Sequence, residues 1–155
     1  MTVVEQLAVC LRALGFKEVA QPLKRHSECI LLLKKQTLNI NRAVAVVCVS
    51  ELPQDLAVYV RDLRKDVAFR VGFFPFLYGL GLQVVFVANN DVTGATPARL
   101  VAAVDNQWAI VQSVFLVDES RRAFKSARSW GQFVTGKYQD AIQAILQREF
   151  REVDA

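Results

Sequence analysis

Residues 82–88 form an almost unbroken apolar run, with Gly81 before it and Asn89, Asn90 and Asp91 after it. Only Gln83 interrupts it, so the run does not alternate and reads as a strand covered on both faces. Residues 114–117, ended by Asp118, read the same way. Between them Thr96 and Pro97 open a helical stretch reaching about Asn106. Two buried strands joined by a helix are parallel neighbours through a crossover, and a parallel sheet must be layered on both sides. That requirement decides most of what the chain can become.

The remaining segments supply the layers. Thr2 with Glu5 makes a capping box and Gly15 a stop, which predicts a helix over 3–14 with Val3, Leu7, Cys10 and Leu14 in its apolar stripe. Residues 16–20 suit a short strand. Residues 28–33 and 43–49 are β-rich, and the polar stretch 34–42 between them predicts a hairpin whose ends carry the basic side chains. Pro53 and Asp55 predict a helix running to about Arg70, with Leu56, Tyr59, Val60, Leu63 and Val67 inward. Its Arg61, Asp62, Arg64, Lys65 and Asp66 are expected on a solvated side. Ala141, Ile142, Ile145 and Leu146 predict a last helix over 138–150.

The expected fold is therefore α/β (or α+β): a single mixed sheet, antiparallel early and parallel later, with helices on both faces. A length of 155 residues with 53% hydrophobic composition predicts one globular domain over 1–155 and excludes a disordered or collagen-like chain. The element order up to residue 88 also resembles a restriction-endonuclease-like core, by analogy of topology alone. That resemblance implies an acidic residue on one central strand and an acid-x-Lys on the next, holding a divalent ion. Neither 29–33 nor 43–49 has an interior carboxylate, and only Glu18 and Glu28 stand at the margins.

No membrane span is expected, because Gly72, Pro75, Gly79, Gly81 and Gln83 break the longest apolar run. The first residues lack a signal-peptide pattern, since Glu5 and Gln6 interrupt them. Cys10, Cys29 and Cys48 are odd in number and far apart, which predicts reduced thiols and a cytoplasmic protein. His26, the one histidine, has a ligand-like spacing to Cys29, but Cys10 and Cys48 would have to converge on it, and core thiols are the expectation. Residues 131–137 match GxxxxGK, yet Tyr138 replaces the required Ser or Thr and no strand pattern precedes the glycine, so the match reads as chance. Gly136 and Lys137 would at most favour an anion at the start of the last helix.

Charge is more informative. The formal charge of +4 arises in the first third, where Arg12, Lys17, Lys24, Arg25, Lys34, Lys35 and Arg42 face only Glu5, Glu18 and Glu28. A second acid-free stretch holds Arg121, Arg122, Lys125, Arg128 and Lys137, interleaved with Phe124 and Trp130. If folding joins them, Lys24, Arg25, Lys34, Lys35, Arg42, Arg121, Arg122, Lys125 and Arg128 form a basic face for nucleic acid or another polyanion, with Trp130 stacking a base. The primary expectation is such a binding or assembly protein, without catalytic residues or a cofactor. A weaker alternative is a Mg²⁺-dependent phosphoryl-transfer or hydrolytic enzyme with Glu51, Asp91 and Asp118 at the strand ends and Arg121 or Lys125 clamping a phosphate. A third is a homo-oligomeric or protein-docking module without nucleic acid, using the aromatic connection Phe73, Phe74, Phe76, Leu77 and Tyr78.

Overall fold

The apolar strands pair as parallel neighbours. A computed structural model of the chain describes residues 1–20, 23–37, 40–72, 79–92, 94–97, 99, 109–129 and 132–154, with the backbone alone for 132–135. Within it, β1 (Lys17–Glu18), β2 (Cys29–Thr37), β3 (Ile40–Val49), β4 (Gly79–Ala88), β5 (Ala109–Asp118), β6 (Ala123–Arg128) and β7 (Arg151–Glu152) form one sheet in sequence order. The β1–β2–β3 pairings are antiparallel, β3–β4–β5 parallel, β5–β6 antiparallel and β6–β7 parallel. The described helices are α1 (Val3–Ala13), α2 (Leu56–Val71) and α3 (Gln132–Glu149). This is the expected α/β fold with a mixed sheet. No described helix is long and apolar enough to cross a membrane.

Strand alternation sends successive side chains to opposite faces, so the sheet has two cores. Val60, Leu63 and Val67 of α2 cover Ala45, Leu82, Phe86 and Leu116 on one face. Val92 and Ala95 of the β4–β5 connection pack on this same side, as two crossovers of one hand in one direction require. On the other face Leu7 and Leu11 of α1, with Tyr138, Ile142 and Leu146 of α3, cover Val44, Val85 and Phe115.

Local chemistry explains the element ends. The Thr2 hydroxyl accepts from the Glu5 amide at 3.3 Å, and Glu5 accepts from the Thr2 amide at 2.7 Å. Asp55, not Pro53, opens α2: its carboxylate accepts from the Val58 amide at 3.0 Å, and the helix starts at Leu56. Gly72 ends it at φ 82°, a conformation that costs glycine least.

Several elements depart from expectation, each for a physical reason. Within the polar stretch 34–42, residues 34–37 and 40–42 are strand, because β2 and β3 pair through them, with Lys35 opposite Arg42 and Thr37 opposite Ile40. Lysine and arginine keep alkyl stems in a strand while sending their charges elsewhere. Parallel pairing likewise extends β4 and β5 beyond their apolar runs, through Gly79 to Gly81 and Ala109 to Ser113. The basic segment after Arg122 is the strand β6, whose Phe124 is core rather than a stacking surface. Helix α3 starts at Gln132, so Gly136 and Lys137 lie inside a helix and no phosphate loop forms. Arg64, expected in solvent, is buried and donates from Nη1 to the Ala109 carbonyl at 3.2 Å.

Phe115 sits fully buried in the α1/α3 core. Phe115→Ala should therefore cost about 3–5 kcal/mol. A urea midpoint unchanged from the parent would contradict this packing.

Candidate polyanion-binding corner

The carboxyl ends of the three parallel strands lie level, with Val49 beside Ala88 and Ala88 beside Asp118. Asp118 is 1% exposed, and its Oδ1 accepts from the Ser120 hydroxyl at 2.6 Å and the Arg121 amide at 3.0 Å. It shapes the β5–β6 turn, a frequent duty of aspartate after a strand. Asp91 pairs with Arg121 at 2.9 Å, and Glu51 is exposed. Among the described residues no group of three or more His, Cys, Asp or Glu side chains is placed to hold a metal ion.

Of the second basic stretch only Lys137 comes near the first, beside Lys35 and Arg42 at the Tyr138 ring, and the others do not join it. Arg121 and Arg122 lie in the turn beyond the carboxyl end of β5. Arg122 donates from Nε to the Glu149 carbonyl at 3.1 Å and sits 5.9 Å from the Phe150 ring centre. Arg128 pairs with Asp140 at 2.9 Å and also bonds Gln143, while Lys125 is largely buried in β6. Lys34 and Lys35 belong to β2, which β3, β4 and β5 separate from β6 by four strand spacings, roughly 19 Å. Sequence proximity to aromatic residues misled here, because β6 uses its charges against α3. Trp130 and residues 73–78 lie outside the described residues.

The first-third cations do converge, with partners that the sequence reading passed over. A cavity of about 350 Å³ at the sheet end is lined by Gly15, Lys17, Lys34, Lys35, Asn41 and Val71. A second, of about 580 Å³, is lined by Lys24, Arg25, Lys65, Phe69 and Arg70 together with Leu23 and Asp66. Each cavity takes a residue from the end of α2, Arg70 in the second and Val71 in the first. Lys17, Lys24, Arg25 and Lys34 make no ion pair among the described residues. The one carboxylate lining either cavity, Asp66, already faces His26 Nδ1 at 2.6 Å. Phe69 is 93% exposed in the midst of these cations. It lies about 200° around the helix from Val67, off the apolar stripe, and that angular misfit was the available signal.

His26 holds this corner together. Its ring is buried, meets Tyr59 edge-on at 4.9 Å, and ties the segment bearing Lys24 and Arg25 to α2 through Asp66. Tyr59 donates to Glu28 at 3.2 Å. Burial, then the adjacent Glu28 carboxylate, push the Tyr59 phenol upward. The three cysteines are free.

No known family, curated protein or solved structure matches this chain. Functional assignment rests on the geometry above.

Burial pushes the Cys29 thiol from 9.0 up to about 12. The folded protein favours the neutral thiol, so the associated stability is intact below pH 9 and is lost as pH rises from about 9 towards 12. Cys29→Val cannot titrate. Its urea midpoint should fall less than the parent's between about pH 8 and about pH 10.5, and parallel falls would contradict the assignment.

Proposed function

We propose that this protein is a non-catalytic binding module for nucleic acid, held at the corner where the β1–β2 edge meets the end of α2. One observation carries the reading: two cavities at the end of α2 lined by lysines and arginines, four of them without an ion pair among the described residues, with a single described carboxylate that is already engaged. Cations lining concave surface attract phosphate backbones and release counterions on contact.

Phe69 narrows the ligand to single strands. Leaving a phenylalanine in water forgoes roughly 1.5–3 kcal/mol of burial. An unpaired base stacking on that ring recovers a comparable amount, about 1–3 kcal/mol, and duplex bases are not open to such contact. Lys24 and Arg25 would neutralise phosphates on one side of the ring, with Lys17 and Lys34 continuing the track. The free thiols fit a reducing, cytoplasmic setting. Self-association or docking through 73–78 belongs to this reading as an assisting contact.

The test is binding of a fluorescent oligothymidylate across a salt series. Affinity should fall steeply with salt, and Lys24→Glu with Arg25→Glu should weaken it at least tenfold while flattening the slope by about 0.7 per lost phosphate contact. Phe69→Ala should weaken binding about 5- to 150-fold with an unchanged melting temperature. Arg121→Ala, at the other end of the sheet, should change nothing. Salt-insensitive binding, or equal binding by the charge-reversed protein, would refute the proposal.

A further inference from the structure

A second polar region lies on the opposite face, under α3. Lys35, Arg42 and Gly81 are register neighbours across β2, β3 and β4. Lys35 and Arg42 alternate with Leu33 and Val44 of the α1/α3 core, so their side chains point to that face. There the Lys35 ammonium and the Arg42 guanidinium each stand 5.3 Å from the centre of the Tyr138 ring, and the Lys137 ammonium stands 5.0 Å from it. Lys35 also donates to the Leu14 carbonyl at 2.5 Å, and Arg42 donates to the Thr37 hydroxyl at 3.2 Å. Burial raises the Tyr138 phenol, but hydrogen bonding and charge from Lys35, then Lys137, outweigh it and leave it lowered.

Beside these cations the strands carry polar groups with nothing to bind. Gln83 and Ser113 are register partners of β4 and β5. Gln112 lies across Gly81, where an added Cβ would come within 2.6 Å of its carboxamide. Gln139, next to Tyr138 on α3, donates to the Gln112 backbone carbonyl at 3.2 Å. All four side chains are buried, yet Gln83 Oε1, Gln112 Oε1, Gln139 Oε1 and Ser113 Oγ have no hydrogen-bond partner among the described residues. Burial of an unmet polar group is costly, and three on adjoining strands with a fourth on the helix above them would not persist for the fold's sake. Apolar residues would pack there at lower cost, as they do on the rest of both faces.

We propose that the buried polar region between α3 and the first halves of β3, β4 and β5 binds a small organophosphate that carries hydroxyl groups. Lys35, Arg42 and Lys137 present fixed positive charge, and guanidinium and ammonium groups form charge-assisted hydrogen bonds with phosphate oxygens. The glutamine oxygens and Ser113 accept from hydroxyls. A bare metal cation is disfavoured there by three adjacent positive side chains. Lys35 also lines the smaller cavity, but Lys24 and Arg25, the cations substituted above for nucleic acid, lie outside this site, so the two readings are tested separately.

Thermal melting and calorimetry of the intact protein test it, with ribose 5-phosphate, inorganic phosphate and ribose as probes. Ribose 5-phosphate should raise the melting temperature in a saturable way, inorganic phosphate should do so less, and ribose should not. Arg42→Met should abolish the shift, and Arg42→Lys, which keeps the charge, serves where the methionine variant does not fold and should retain part of it. Gln83→Leu should raise the melting temperature of the protein alone by about 2–4 °C while weakening the probe at least tenfold. Lys24→Glu should leave all of this unchanged. No shift with any probe, equal shifts with phosphate and ribose 5-phosphate, or a lower melting temperature for Gln83→Leu would each overturn the assignment.

Discussion

Parallel pairing of β3, β4 and β5 is the constraint on which the rest depends. Their backbone groups are satisfied by one another and by β2 and β6 alongside, and their side chains can be buried only if both faces are covered. The crossover α2 closes one face, and α1 with α3 close the other. Once both faces are sealed by apolar residues, polar chemistry is left two places: the ends of the sheet, and positions where a covering helix admits it. Both of the sites proposed here obey that limit. One lies at the corner where strands and α2 end, and the other lies under the first turns of α3.

In open α/β sheets ligands usually meet the carboxyl ends of the strands. Here that end is occupied by the protein's own contacts. Asp118 gives its Oδ1 to its turn while its Oδ2 has no partner among the described residues, Arg121 is paired with Asp91, and the Glu119 amide donates to the Ala88 carbonyl at 2.9 Å. The unpaired cations and the unsatisfied amides gather instead towards the amino ends of the same strands. That reversal has a local cause. β2 runs antiparallel to β3, so the basic residues at the end of β2 land beside the start of β3.

The sequence was a good guide wherever burial and periodicity agreed. The apolar runs at 82–88 and 114–117 named the parallel strands, Thr2 with Glu5 named the first helix start, and the stripe Leu56, Val60, Leu63, Val67 named the buried side of α2. It failed where a strand carries polar residues. Lys34, Lys35 and Arg42 looked like a loop, Gln112 and Ser113 looked like the end of a connection, and β6 alternates Phe124, Ser126 and Arg128 too briefly to stand out. Which cations meet was not legible, because it depends on strand order: β2 and β6 carry similar charges but have three strands between them. The placement of Asp66 against His26, and with it the position of Lys24 and Arg25, likewise needed three dimensions.

The polar groups beneath α3 and the apolar cores around them differ in what they do for stability. Phe115, Leu116 and Val85 bury their full surface and favour folding in proportion to it. The side-chain oxygens of Gln83, Ser113 and Gln139 are equally enclosed but give up hydration without a partner among the described residues. Buried polar atoms without a partner among the described residues also occur at Arg64, Asn90, Asp118 and Ser129, but Gln83, Gln112, Ser113 and Gln139 are neighbours across one row of strand positions and the helix turn above it. A local conflict with packing gathered in that way fits a binding site. The same row holds Gly81, where the absence of a side chain makes room for the Gln112 carboxamide. A glycine that admits a polar group into an otherwise apolar interior works against stability twice, through backbone freedom and through burial, and its place beside Arg42 ties both costs to the cations on the same face.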